Sequence, residues 1–171
     1  IVFEGIDGAG TSTQIQLLKE KNSNNAFFLT AEPTSLPTGQ FLRRMLRGEF
    51  QLAPEAAVHL FAADRAEHIY GANGVQDQCA KGKIVISDRY LFSSLAYQAV
   101  QLGMELPLHI NERFPLPCIL FFFDIQPDIA LARIQGRGIT EIYEKLDYLQ
   151  HTQKMYNTVI DLYTNTKRGD G

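Results

Sequence analysis

This chain is poor in cysteine, in long apolar runs and in net charge, and each shortage excludes a class of protein. Cys79 and Cys118 stand alone in 171 residues, so neither a disulfide framework nor a cysteine metal site is available. Reduced thiols in a cytoplasmic protein are the expectation. The longest unbroken apolar run, Cys118 to Phe123, falls far short of the roughly 20 residues that span a bilayer, and no membrane partner is expected. No signal-peptide pattern opens the chain, which starts without Met inside a strand-like run. A formal net charge of -3 offers no electrostatic reason to bind a nucleic-acid polymer. It leaves room for a nucleotide, which needs only a few local cations. What remains, 45% hydrophobic and 20% charged, suffices for one globular domain with a real core over residues 1–171.

The most telling absence is a lysine at position 11. Gly5-Ile6-Asp7-Gly8-Ala9-Gly10-Thr11-Ser12-Thr13 follows the apolar start Ile1-Val2-Phe3 and leads into Gln14 to Lys19, in the order strand, glycine-rich loop, helix. It fits the phosphate loop G-x-x-x-x-G-K-[ST] at every specified position except the lysine, where Thr11 stands. Gly5, Gly8 and Gly10 let backbone N–H groups approach an anion with no Cβ in the way. The following helix would aim its N-terminus at the same phosphates. Residues 5–13 are therefore the ATP-binding candidates. Ser12 occupies the position of the hydroxyl that ligates Mg²⁺, with Thr13 as a second hydroxyl beside it. Thr11 can donate a hydrogen bond but cannot replace an ammonium charge.

Apolar runs alternate with helical patterns along the rest of the chain. Ala26–Thr30, Lys83–Ser87 and Cys118–Phe123 read as further strands. Their continuous apolarity predicts burial on both faces. Helices are expected over about Gly39–Leu46, over Pro54–Tyr70 with a continuation toward Gln78, from Ser93 to Val100, from Gln126 past Ile134, and over Glu141–Tyr163. This alternation predicts an α/β fold, a parallel sheet wrapped by helices. Ligands in such sheets bind beyond the carboxyl ends of the strands, so the loop, Glu32-Pro33 and Asp88-Arg89 should converge on one cleft. Thr164 to Gly171 is polar and turn-like, as if leading to another strand, and a terminal segment is expected to be missing.

Two further groups carry chemistry. Asp88-Arg89-Tyr90 sits at the end of a strand and is followed by Ser93-Ser94-Leu95-Ala96-Tyr97-Gln98. Phe61 and Arg65, four apart, face one side of a helix. Together with Phe3 to Gly10, Glu32-Pro33, Leu60 to His68, Ala132-Arg133-Ile134 and Arg137-Gly138, these segments are similar to the thymidylate kinase family in order and spacing from Ile1 to about Tyr163. The tract from Asp88 to Gln98 is the most discriminating, since phosphate loops occur in many families.

The resemblance implies the three-layer α/β/α fold of P-loop nucleoside monophosphate kinases, with a lid over about 133–144. It implies ATP-dependent, Mg²⁺-dependent phosphorylation of dTMP to dTDP by a homodimer. Carried over by position, Asp7 lies near the sugar 3′-hydroxyl, and Phe61 stacks on thymine. Arg65 reaches the base, and Arg89 the 5′-phosphate. Ser94 and Gln98 meet the thymine edges, and Tyr97 opposes a 2′-hydroxyl. Glu32 and Pro33 complete the dTMP pocket. Asp88 or Glu4 acts through water or orients Arg89. The family uses an extra arginine, in the phosphate loop or in the lid. The loop position here is Gly8, which leaves the lid: Arg137 is the first candidate and Arg133 the second. Two positions depart from the family pattern by loss of positive charge: Thr11, and Ala31 before Glu32-Pro33. A kinase for another nucleotide and a weakly active or inactive nucleotide-binding module are the rival readings.

Overall fold

The computed structural model describes residues 1–21, 27–136 and 141–166. Among them are four parallel strands, β1 Val2–Gly5, β2 Phe27–Ala31, β3 Ile84–Asp88 and β4 Leu120–Phe123, in the order β2-β3-β1-β4. Eight helices accompany them: α1 Thr11–Lys21, α2 Pro37–Leu46, α3 Pro54–Tyr70, α4 Val75–Ala80, α5 Leu91–Leu102, α6 Glu105–Asn111, α7 Pro127–Gln135 and α8 Leu146–Thr166. No described helix is long and apolar enough to cross a membrane.

Proline sets several helix starts. Pro37, Pro54 and Pro127 each open their helix, preceded by an extended residue. There the missing N–H costs nothing and the fixed φ suits the first turn. The expected continuation of α3 toward Gln78 does not form. A Cβ at Gly71 would lie 2.4 Å from the Glu67 carbonyl, Asn73 takes φ 61, and α4 starts afresh at Val75. The last helix begins at Leu146 rather than Glu141. In the turn before it, the Glu141 N–H donates to Glu144 at 2.7 Å and the Ile142 N–H to Leu46 O at 2.9 Å. The expectation of strands buried on both faces holds for β1, whose four residues are all buried, and for most of β3. It fails for β2 and β4, the two outer strands of the described sheet, and Phe121 on β4 is 49% exposed. An outer strand lacks a neighbour on one side, so its residues are covered less completely.

The largest core cluster gathers Leu91, Leu95, Ile134, Leu149, Tyr156 and Val159 with β1 residue Val2, joining α5, α7 and α8 on one side of the sheet. Phe3, Ile15 and Ile86 form a core with α1 on the other. The carboxyl ends of β1, β2 and β3 are left at one edge, as a parallel sheet requires.

Candidate active site

A cleft of about 330 Å³ lies beyond those strand ends, within the size range of small-ligand pockets. All the described site residues expected from the sequence line it except Glu4, Gly5, Ala9 and Arg133. Gly5 and Ala9 pack on each other behind the loop, where a Cβ on Gly5 would lie 2.9 Å from that of Ala9. Arg137 falls outside the described residues.

The loop is shaped by what it packs on. Gly8 has φ +83, and a Cβ there would come within 2.4 Å of the Ala130 carbonyl on α7. Only glycine permits both the backbone angle and the approach. This contact holds α7 beside the loop and brings Arg133 with it. The Arg133 Nη1 donates to Gly8 O at 3.3 Å and approaches Ala9 O at 3.5 Å. Thr11 is buried as the first residue of α1. Ser12 donates to Asp88 Oδ2 at 2.5 Å, while Asp88 Oδ1 is buried with no hydrogen-bond partner among the described residues.

Arg89 is the hub between the loop and the rest of the cleft. Its backbone takes φ 70, a left-handed conformation that costs a non-glycine residue about 1–3 kcal/mol. The Arg89 N–H donates to Phe3 O at 2.8 Å, and Ser87 Oγ donates to the Arg89 carbonyl at 2.7 Å. The guanidinium donates through Nη1 to Gly5 O at 2.9 Å and through Nη2 to Asp7 Oδ1. Its central carbon lies 5.2 Å from the Tyr97 ring centre. Tyr97 in turn donates to Asp7 Oδ2 at 2.8 Å and accepts the Asp7 N–H at 2.9 Å. Burial above all holds the Tyr97 hydroxyl protonated, raising it well above its ordinary range.

Beneath Arg89, Glu4 is fully buried. Its Oε1 accepts the N–H groups of Tyr90 at 2.8 Å and Ser93 at 3.2 Å. Its Oε2 accepts the hydroxyls of Ser93 at 2.6 Å and Tyr156 at 2.8 Å. Burial pushes its carboxyl up to about 7, against the pull of these donors and of Arg89.

The far half of the cleft rests on a buried ion pair. Arg65 is 1% exposed. Its Nε and Nη2 donate to Glu32 Oε2 at 2.9 and 2.6 Å, Nη2 also to Ser94 Oγ at 3.0 Å, and Nη1 to Asn111 Oδ1. The rings of Tyr90 and Phe114 flank its guanidinium at 5.4 and 5.5 Å. Glu32 Oε1 meets His68 Nδ1 at 2.9 Å, and the other ring nitrogen of His68 meets Thr30 Oγ1 at 2.7 Å. Both Glu32 oxygens are therefore engaged within the protein. Phe61 shares the Arg65 side of α3 and faces the same cavity. Gln98 is 5% exposed, and its Oε1 has no partner among the described residues. Asp64, one turn from Phe61, accepts from the Thr34 N–H at 2.8 Å and the Thr38 hydroxyl at 2.8 Å, which fixes the turn after β2.

The sequence reading missed part of this site. Arg43 on α2 lines the cavity and donates to the carbonyls of Pro33 and Thr34. Nothing in Arg43-Arg44 separates it from its exposed neighbour except its helical phase beside the buried Leu42 and Leu46. Glu141, Tyr143 and Glu144 also line the cavity. Burial first, then the charges of Asp7 and Glu144, raise the Glu141 carboxyl.

The phosphate loop, the Asp88–Arg89 hub and the Phe61–Arg65 pocket now stand in one cleft. The family model for thymidylate kinase matches residues 3–168. The chain belongs to the thymidylate kinase family. It is 41% identical to a putative thymidylate kinase of Treponema pallidum over 93% of this chain and 77% of that one. It is 36% identical to a thymidylate kinase of Leptospira interrogans over 100% of this chain and 85% of the relative. A solved thymidylate kinase structure from Candida albicans superposes with a TM-score of 0.80 at 26% identity, covering 96% of this chain and 79% of that chain. The chain has the α/β fold of that structure, and its activity is phosphorylation of dTMP. Members of the family generally use Mg-ATP.

Proposed function

We propose that the cleft transfers the γ-phosphoryl group of Mg-ATP to dTMP, giving dTDP, with Arg89 between the two nucleotides. The observation that carries this reading is the Arg89 guanidinium itself. It is held to the phosphate loop through both Gly5 O and Asp7, and Asp7 is bonded in turn to Tyr97 in the other half of the cleft. Phosphoryl transfer asks for placement and for cations where charge develops, and little else. The acceptor phosphate brings its own ionised oxygen, so no strong general base is required.

On the donor side, residues 5–13 cradle the ATP phosphates, and Arg133 supplies a cation that Thr11 does not. Asp88 Oδ1, buried and unpartnered, and the Ser12 hydroxyl provide hard oxygen ligands for Mg²⁺. An ion held there would neutralise charge on the transferring group. A lid over about 133–144, of which 137–140 lie outside the described residues, is part of this reading. A homodimer belongs to the same proposal.

On the acceptor side, Phe61 stacks on the base, with Arg65 and Ser94 at its edge. Glu32 works through Arg65, and Pro33 closes the wall. The unpartnered Gln98 oxygen meets an N–H donor on the base, which thymine offers at N3. Gln98→Leu should therefore raise the KM for dTMP about tenfold to a hundredfold while leaving the KM for ATP unchanged, since a lost hydrogen bond in a buried site is costly. Equal KM values in the variant and the natural enzyme would remove Gln98 from base recognition.

A coupled assay with ATP, Mg²⁺ and a panel of dTMP, dCMP, UMP, ribo-TMP and thymidine tests the whole assignment. dTMP should give the highest kcat/KM. Ribo-TMP should be rejected, because the Tyr97 hydroxyl is held twice by Asp7, accepting its N–H and donating to its carboxylate, and cannot yield to a 2′-hydroxyl. Preferred turnover of another acceptor would overturn the assignment. Binding of dTMP with no dTDP formed would show that the loop without lysine does not support transfer.

A further inference from the structure

We propose that Glu4 is a positioning residue for phosphoryl transfer: its carboxylate orients the hydroxyls of Ser93 and Tyr156 so that both present lone pairs to the Arg89 guanidinium. The inference rests on the assignment of Arg89 to the reacting phosphates.

Arg89 Nη1 carries two hydrogens. One goes to Gly5 O at 2.9 Å. The other is shared between Ser93 Oγ at 3.2 Å and Tyr156 OH at 3.4 Å. Those two hydroxyl oxygens are themselves 2.8 Å apart, and each carries a single hydrogen. Both hydrogens have an acceptor in Glu4 Oε2, at 2.6 and 2.8 Å. With Glu4 ionised, every hydrogen in the ring has an acceptor, and both oxygens turn their lone pairs to the cation. The two oxygens also tolerate their close approach, because the Arg89 hydrogen lies between them.

Glutamine at position 4 breaks the ring. With its amide nitrogen toward Ser93 and Tyr156, it donates where an acceptor is needed, and one hydroxyl hydrogen is left facing the guanidinium. Turned the other way, the amide nitrogen meets the Tyr90 and Ser93 N–H groups, which are donors. In the first orientation Arg89 loses one of its anchors while the Asp7 and Gly5 contacts remain; in the second, donor faces donor and the side chain is pushed from its place under Arg89. The groups facing Glu4 come from three elements: Arg89 and Tyr90 from the end of β3, Ser93 from α5, and Tyr156 from α8. No described contact joins Glu4 to Ser12 or Asp88.

Glu4→Gln should lower kcat/KM for dTMP about tenfold to a hundredfold, as loss of one oriented hydrogen-bond partner at a reacting centre does, and weaken calorimetric dTMP binding in parallel. The KM for ATP should change less than about twofold. In an Arg89→Ala background the same substitution should cost almost nothing, because its effect travels through Arg89. A purely structural role would give equal losses in both backgrounds and would raise both KM values. The pair Ser93→Ala with Tyr156→Phe leaves the buried carboxylate its backbone donors and should reproduce the loss if Glu4→Gln folds poorly. A Glu4→Gln enzyme within twofold of the natural one, or an undiminished loss in the Arg89→Ala background, overturns the proposal. Failure of the natural enzyme to phosphorylate dTMP would instead strike the assignment of the cleft.

Discussion

Arg89→Ala is expected to lower kcat for dTMP phosphorylation about a thousandfold, measured with both substrates saturating, in line with what single transition-state cations contribute. Arg89 is held to the phosphate loop through Gly5 O and Asp7, and its guanidinium lies beside the Tyr97 ring on the other side of the cleft. Its removal does more than delete a charge. The Asp7 carboxylate loses its guanidinium partner, and a negative group is left facing incoming phosphates. Arg89→Lys should recover no more than about tenfold of the loss, because an ammonium group lacks the planar fork that serves Gly5 O and Asp7 together. A fall of less than tenfold in the alanine variant would make Arg89 a scaffold residue and not a participant.

The second large effect concerns the donor phosphates. Arg133→Ala is expected to lower kcat/KM for ATP about a hundredfold or more, since removing a positioned donor at a developing charge typically costs that much. The geometric reason is the packing of α7 on the loop. The Ala130 carbonyl leaves no room for a side chain at Gly8, so α7 cannot stand off, and Arg133 reaches the outside of the loop at Gly8 O. Among the described residues its hydrogen bonds go to backbone carbonyls, which leaves its charge uncompensated by a carboxylate. Thr11→Lys supplies the complementary measurement. In the natural background it should raise the rate by less than about tenfold, and in the Arg133→Ala background it should restore most of the loss, because two groups that serve one phosphate couple strongly. If Arg137→Ala carries the loss and Arg133→Ala does not, the lid arginine holds the role that the family resemblance assigns it first.

Much of this was legible in the sequence because the requirements are local. A phosphate loop needs glycines and a hydroxyl at fixed offsets, and Gly5 to Ser12 shows them without any tertiary information. The parallel sheet was legible from β1 and β3, whose apolar runs are continuous because both faces are covered. Phe61 and Arg65 could be paired from helical phase alone. Less legible were elements whose limits depend on distant contacts. The break after Tyr70 depends on Gly71 meeting a carbonyl one turn back, which an apolar pattern does not record. The short α6 carries Pro107 near its start and was not anticipated, yet its Asn111 reaches Arg65 and so helps to build the pocket.

Local chemistry in the sequence determined the phosphate loop, the parallel α/β class, the family and the missing ammonium group at Thr11. Tertiary structure decided how the cleft is wired. The bonds that set Arg89 in place join residues 82 and 84 positions apart, and Glu4 is tied to Tyr156 across 152 positions. Tertiary structure also decided that Glu32 is consumed by Arg65 and His68, and that Gln98 keeps a buried oxygen without a partner. The reason is the range of the forces. Backbone conformation and helical phase act over a few residues and leave a mark in the order of the chain. A buried hydrogen bond needs only that its two ends meet in space, and no pattern along the sequence records that meeting.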